Sequence, residues 1–199
     1  MRNTLALDDV VDIALIVFLE QGYDGTSMAD LSAAAGITKS SLYHHVSSKE
    51  ELLRLGIDRA LSAQKAMLDE EEATDRTPSE RLRTVTRRTC MLIVSLIPET
   101  AVLVRARGRT ETEQWAIRER RLLDDRLAKL IAHSWAYEGR SFDSSAPAVA
   151  ARLVFGMLSS VVDWYRPGHG PFDAELLAEL ADQILFDAAL AGDARSQTV

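Results

Sequence analysis

Apolar residues recur at spacings of three and four along almost the whole chain, and no segment alternates apolar and polar at a period of two with β-branched enrichment. The pattern predicts an all-α fold. Gly, Pro, Ser, Thr and Asp cluster at residues 21–26, 35–38, 46–48, 74–79, 97–99, 108–110, 138–147 and 167–172, and these breaks divide the chain into about nine helices. The first elements are short; a long helix begins near Ser48, and beyond residue 78 the helices lengthen and become strongly amphipathic. This change of scale predicts two units, 1–53 and 54–199, joined by the long fourth helix rather than by a loose linker.

In the first unit, a helix from about Asp8 to Gln21 places Val11, Leu15 and Phe18 on one stripe with Ala14, and Gly22 ends it. Ser27 can cap a short second helix with Asp30 three residues on, a weak form of the capping box. Small residues at Ala33, Ala34 and Ala35 permit close helix approach, and Gly36 can take the left-handed conformation that reverses the chain. The next helix, about Thr38 to His45, turns Leu42 inward with Ile37 and Val46. Lys39, Ser40, Ser41, Tyr43 and His44 are left facing outward. Helix, glycine turn and helix form a helix-turn-helix, and an outer face of cation, hydroxyls and phenol suits a recognition helix in a major groove. Ser48 and Glu51 then read as a capping box for the fourth helix. Lys49 in its first turn adds charge to the positive end of the helix dipole, an arrangement suited to a phosphate, although alone it would read as a solvated lysine.

Composition narrows the function classes. With 199 residues and 47% hydrophobic content the chain can bury a core. A single cysteine, Cys90, excludes an internal disulfide framework and reads as a small core hydrophobe. No window approaches the length of a membrane span, so the expectation is a soluble, cytoplasmic protein with no membrane partner. His44 and His45 point about 100° apart on a helix, and His44 is followed four residues on by Ser48, so no helical metal site forms. Neither a nucleophile elbow nor a phosphate loop is present, and the reading is a non-enzyme with no cofactor, no metal and no catalytic residue.

Gly22-Tyr23, Gly25-Thr26-Ser27-Met28, Ala35-Gly36-Ile37, Leu42-Tyr43-His44-His45 and Ser48-Lys49-Glu50-Glu51-Leu52-Leu53 together resemble the DNA-binding domain of TetR-family transcriptional regulators. The resemblance implies a three-helix DNA-binding domain, then a helical ligand-binding and dimerisation domain. It implies phosphate contacts at Thr26 and Ser27, groove-facing Thr38, Lys39, Ser40 and Ser41, groove-wall contacts at Tyr43 and His44, a contribution from His45, and a phosphate anchor at Lys49. Ser32, Ser40 and Val46 depart from the family's usual alanine, glycine and phenylalanine; the first and third touch packing, the second base preference. Residues 1–55 carry eight acids and four bases, a net of −4, so double-stranded DNA must be held by a few placed groups rather than a broad basic field.

In the second unit, Met91, Trp115, Phe155 and Trp164 are candidates for contact with a small hydrophobic effector. The arginines 105, 107, 109, 118, 120 and 121 alternate with Glu111, Glu113 and Glu119; this reads either as a solvated, salt-bridged face or as a landing for an anionic ligand. Pro147 opens a helix in which Gly156 and Ser160 allow close approach, and a second stripe runs through Leu176, Leu177, Leu180, Ile184, Leu185 and Ala188 towards Gly192. Met157, Val161, Leu177, Leu180 and Ile184 are expected at the two-fold axis of a homodimer reading a palindromic operator. DWYRPGHGPFDAELLAELADQIL also resembles the ends of family members that sense acyl-CoA thioesters. A helical adaptor on the same fold, without sequence-specific DNA binding, is the competing reading.

Overall fold

The computed structural model describes residues 5–169 and 171–187. Among them the helices are α1 (Leu7–Gln21), α2 (Met28–Ala34), α3 (Lys39–His45), α4 (Lys49–Glu72), α5 (Pro78–Ser95), α6 (Ile97–Arg105), α7 (Glu111–Tyr137), α8 (Ala146–Ser159), α9 (Val161–Trp164) and α10 (Ala174–Asp182), the last continued by a wider turn over Gln183–Asp187. No strand occurs among the described residues. Counting α8 and the single turn α9 as one bent helix, the number is the nine expected. Ala188 and Gly192 lie outside the described residues.

Local chemistry accounts for most boundaries. Gly22 ends α1 at φ 81°, and Gly36 turns the chain between α2 and α3 at φ 65°, conformations that disfavour any residue with a Cβ. One break falls differently from the expectation: Pro98 lies inside the first turn of α6, and the interruption is at Leu96. A first-turn residue needs no N–H donor, so proline opens a helix as readily as it ends one.

The chain forms two compact units, and neither is contiguous. Unit 1 comprises residues 1–61 and 96–118; unit 2 comprises 62–95 and 119–199. Both α4 and α7 therefore contribute to each unit. In unit 1, Val11, Ala14, Leu15 and Phe18 of α1 are buried as their spacing predicts, together with Leu31, Leu42, Val46, Leu52 and Ile57. α6 packs on α1 and adds buried Val102 and Leu103. At Gly56 an added Cβ would lie 2.5 Å from Leu15 Cδ2, so glycine there sets how closely α4 approaches α1. Arg59 ties Asp8, Asp12 and Glu99 together across α1, α4 and α6.

Unit 2 packs α10 and α8 against α5. Its core includes Leu82, Val85, Ile93, Ile131, Leu158 and Ala178. Cys90 is buried there, which pushes its thiol pKa up. Buried Glu71 accepts from Arg76 at 2.7 Å and Arg88 at 2.9 Å. Burial alone would raise its pKa, but the two arginines outweigh that and hold it below the usual glutamate value. Residues 146–164, interrupted in charge only by Arg152 and Asp163, are long and apolar enough by composition to cross a membrane. This corrects the expectation that no window of the chain approaches the length of a membrane span. Its buried members, Pro147, Ala151, Leu158, Val161 and Val162, belong to the core of unit 2.

Candidate functional site

The helix-turn-helix is assembled by hydrogen bonds the sequence encodes locally. Ser27 caps α2: its N–H donates to Asp30 at 2.8 Å, its Oγ at 2.6 Å, and the Asp30 N–H returns to Oγ at 3.3 Å. Those bonds from the Ser27 hydroxyl and N–H hold the Asp30 carboxyl below its ordinary pKa. Thr38 caps α3 by accepting from the Ser41 N–H at 3.1 Å. Buried Ser32 donates to Ala29 O at 2.9 Å, so its hydroxyl is satisfied inside unit 1. The cap of α4 is offset by one residue from the expected box. Ser48 Oγ accepts from the Glu51 N–H, but the Glu51 carboxylate takes the Ser47 N–H and hydroxyl at 2.7 and 2.8 Å.

These bonds divide the ten candidate DNA contacts. Lys39, Ser40, Tyr43 and His44 on α3 are exposed, Tyr43 at 54%, and Ser41 and His45 are half-buried beside them. Only Leu42 of α3 is buried, which leaves a continuous polar face. Exposed Ser27 and Thr38 carry out their capping roles at the helix starts. Thr26 differs: it is 2% exposed, and its hydroxyl donates to Gly22 O at 2.8 Å. Lys49 differs too. Its ammonium donates to Tyr23 O at 2.7 Å and Thr26 O at 2.8 Å and sits 4.4 Å above the Tyr23 ring. As placed, Thr26 and Lys49 lock the α1–α2 turn to α4 rather than reach outward. The partner that Lys49 finds in Tyr23, 26 residues away, has no signature in local spacing. Tyr23 itself is pushed up to about 12 by burial and by the nearby Glu50, Asp24 and Glu113.

The effector candidates are not brought together. Met91 and Trp164 are exposed. Trp115 belongs to unit 1, where Arg54 lies 4.0 Å over its ring. Phe155 lines a void of about 30 Å³ in unit 2, the space of one water. The larger cavity of unit 2, about 430 Å³, is built from other residues: Leu82, Ile131, Trp135, Val154 and Phe186 give apolar walls, with Arg83 and Arg140 among the lining. Arg140 stacks 4.7 Å over Trp135 and Arg83 5.0 Å over Phe186. Helical periodicity marks such residues as apolar-facing but cannot tell a cavity wall from filled core.

Among the five dimer candidates, Leu180 and Ile184 are exposed, Ile184 at 62%, and Met157 is half-buried; Val161 and Leu177 are core residues of unit 2. Val149 and Leu153, the latter 70% exposed, extend the apolar surface on α8.

Two family profiles match the chain: bacterial regulatory proteins of the tetR family over residues 10–55, and a tetracyclin repressor-like C-terminal domain over 75–189. A negative regulator of a biofilm operon, IcaR of Staphylococcus epidermidis, is 40% identical over 55 residues, 28% of this chain and 30% of that regulator's length. The crystal structure of SCO3833, a TetR-family regulator of Streptomyces coelicolor, is 44% identical with a TM-score of 0.80 over 89% of each chain. AibR, solved in complex with isovaleryl coenzyme A and operator DNA, is 26% identical with a TM-score of 0.73 over 90% of this chain and 97% of its own.

Proposed function

We infer the function from one premise: this chain belongs to the TetR family of bacterial regulatory proteins and is a transcriptional regulator with a helix-turn-helix DNA-binding domain. Our reading is a homodimeric repressor of a palindromic operator, released by a small hydrophobic effector. The observation that carries it is the face of α3, where Lys39, Ser40, Tyr43 and His44 are presented to solvent around a single buried leucine. In a dimer, two such helices about 34 Å apart read successive major grooves.

The exposed apolar residues of α8 and α10 support pairing with a second copy. Between them Gly156 is exposed, with nothing within 4 Å of where its Cβ would stand, so a partner helix can approach closely. The 430 Å³ cavity of unit 2 is the effector site in this reading, with apolar walls for an acyl or ring body and arginines for a polar head. An acyl-CoA thioester is the first candidate, supported by the isovaleryl coenzyme A bound to AibR. α7 lines this cavity through Ile131, Ser134 and Trp135 and its first part belongs to the DNA-reading unit, so in this reading repacking around the effector is passed along that helix. By linkage, operator DNA weakens effector binding by the same factor.

A mobility-shift titration with the DNA flanking the chain's own gene, with and without isovaleryl-CoA and a long-chain acyl-CoA, tests this reading. A sequence-specific complex that a thioester dissociates is expected. Failure to enrich any DNA sequence from a random library would overturn the regulator reading, whereas a complex indifferent to thioesters would overturn only the effector class.

A further inference from the structure

The loop joining α6 to α7 is held by its own backbone bonds. The Glu113 carboxylate accepts from the main-chain N–H groups of Arg107 at 3.1 Å and Arg109 at 2.7 Å. Thr110 Oγ1 accepts from the Glu113 N–H, the Gln114 amide donates to Gly108 O, and Gly108 turns at φ 81°. Glu113 is thus held by the backbone, keeps its charge at the rim of this loop, and forms no ion pair with the Arg107 or Arg109 guanidinium among the described residues. The Arg107 guanidinium donates only to the carbonyls of Val104 and Ala106 and has no carboxylate partner among the described residues. Arg109 pairs with Asp24 at 2.7 Å, but both side chains are about two-thirds exposed, so solvent screens the pair.

These arginines border a cavity of about 480 Å³ within unit 1. Phe18, Leu53 and Val102 give it an apolar lining, and the turn residues 22–25 line it as well. We propose that this cavity is a second small-molecule site, in the DNA-reading unit, for an organic anion: Arg107 and Arg109 hold a phosphate or carboxylate head, and Phe18, Leu53 and Val102 receive an apolar body. The volume is in the range of small-ligand pockets, and a guanidinium fork matches either head group. Tyr23 also lines this space; its hydroxyl makes no hydrogen bond among the described residues and stays protonated at neutral pH, so it is a donor open to an anion within its reach.

The site is placed to be felt by DNA binding. An anion at Arg109 competes with Asp24 and places its charge beside the α1–α2 turn, whose carbonyls at Tyr23 and Thr26 are held by the Lys49 ammonium and which leads directly into the Ser27 cap of α2. Occupancy therefore lowers operator affinity. That last consequence rests on the regulator reading above; the binding itself does not.

Calorimetry at constant ionic strength with phenyl phosphate, benzoate, inorganic phosphate and the neutral analogue benzyl alcohol tests the site on the full chain. Saturable binding of phenyl phosphate or benzoate is expected, with phosphate alone weaker and benzyl alcohol not binding. Affinity should fall at least tenfold in the Arg107→Ala/Arg109→Ala variant, its fold checked by circular dichroism. It should rise about two- to fivefold in Asp24→Ala, which releases Arg109 from its competitor. No saturable binding, equal affinity for benzyl alcohol, or unchanged affinity in Asp24→Ala would each overturn the proposal. So would failure of the probes to bind combined with an operator salt slope in the double variant shallower by about 0.9 per lost contact, which would make these arginines contacts to the DNA backbone. A chain that ignores acyl-CoA but binds phenyl phosphate leaves the proposal standing.

Discussion

The exposed faces of α3 and α8 are opposite in kind. On α3 the solvent meets Lys39, Ser40, Tyr43 and His44, with a single leucine turned inward; on α8 it meets Val149 and Leu153, and on the α10 segment Leu180 and Ile184. A polar face rich in donors is stable in water and needs a polyanion only for function. An apolar face of that size is stabilised by being covered. The same helical periodicity thus yields a polar outer face in one unit and an apolar one in the other, depending on which residues occupy the outer positions; in our reading the first meets DNA and the second a second copy.

The largest expected effect comes from charging the assembly surface. Leu153→Asp together with Ile184→Asp should convert the dimer to a monomer in analytical ultracentrifugation and abolish operator binding at concentrations where the parent is saturated. A double variant that remains dimeric would place the interface elsewhere. Next comes the reading surface. Tyr43→Ala should cost about 1–3 kcal/mol of operator affinity per half-site while leaving the melting temperature unchanged, since this exposed side chain touches little of the core.

Lys49 sharpens the contrast within unit 1. Lys49→Ala removes two charge-assisted hydrogen bonds and a cation–π contact, so stability should fall by about 2–3 kcal/mol as operator binding falls. Melting that is unaffected while DNA binding is lost would return Lys49 to the role of a phosphate anchor. In unit 2, Glu71 lies in the folded state below the ordinary glutamate value of 4.5. Its contribution is therefore present above that pH and lost as pH falls through the depressed value. Glu71→Gln should lower stability by about 1–3 kcal/mol at pH 7 and flatten the acid limb of a melting-temperature profile below pH ~4.5. The smallest effect is at Gly56→Ala: the gain of about 1 kcal/mol in helix propensity is offset by about 1–3 kcal/mol of crowding on Leu15, for a net loss near 1 kcal/mol in chemical denaturation.

Much of the helix-turn-helix geometry was legible in the sequence because its determinants are local. Ser27 with Asp30 and Gly36 act over three or four residues, and the outward face of α3 follows from the position of Leu42; the Thr38 cap on the Ser41 N–H is equally local but was not read. Thr26 and Lys49 were harder because their partners are set by the α1–α2 turn. The four effector candidates scattered for a related reason: Trp115 has the same periodicity as a cavity residue, yet Arg54 covers it in unit 1.

The sequence by itself determined most of the helices, the Ser27 cap, the Gly22 and Gly36 turns, the inward and outward faces of α1 and α3, and through the motifs of residues 22–53 the class of macromolecule read. These depend on hydrogen bonds and side-chain spacing within a turn or two. Only the tertiary structure decided that residues 96–118 belong with residues 1–61, that α4 meets α1 where Gly56 faces Leu15, and that Arg109 reaches Asp24 across 85 positions. Such outcomes depend on which surfaces fit one another once many helices compete for the same core, and no local spacing encodes that competition.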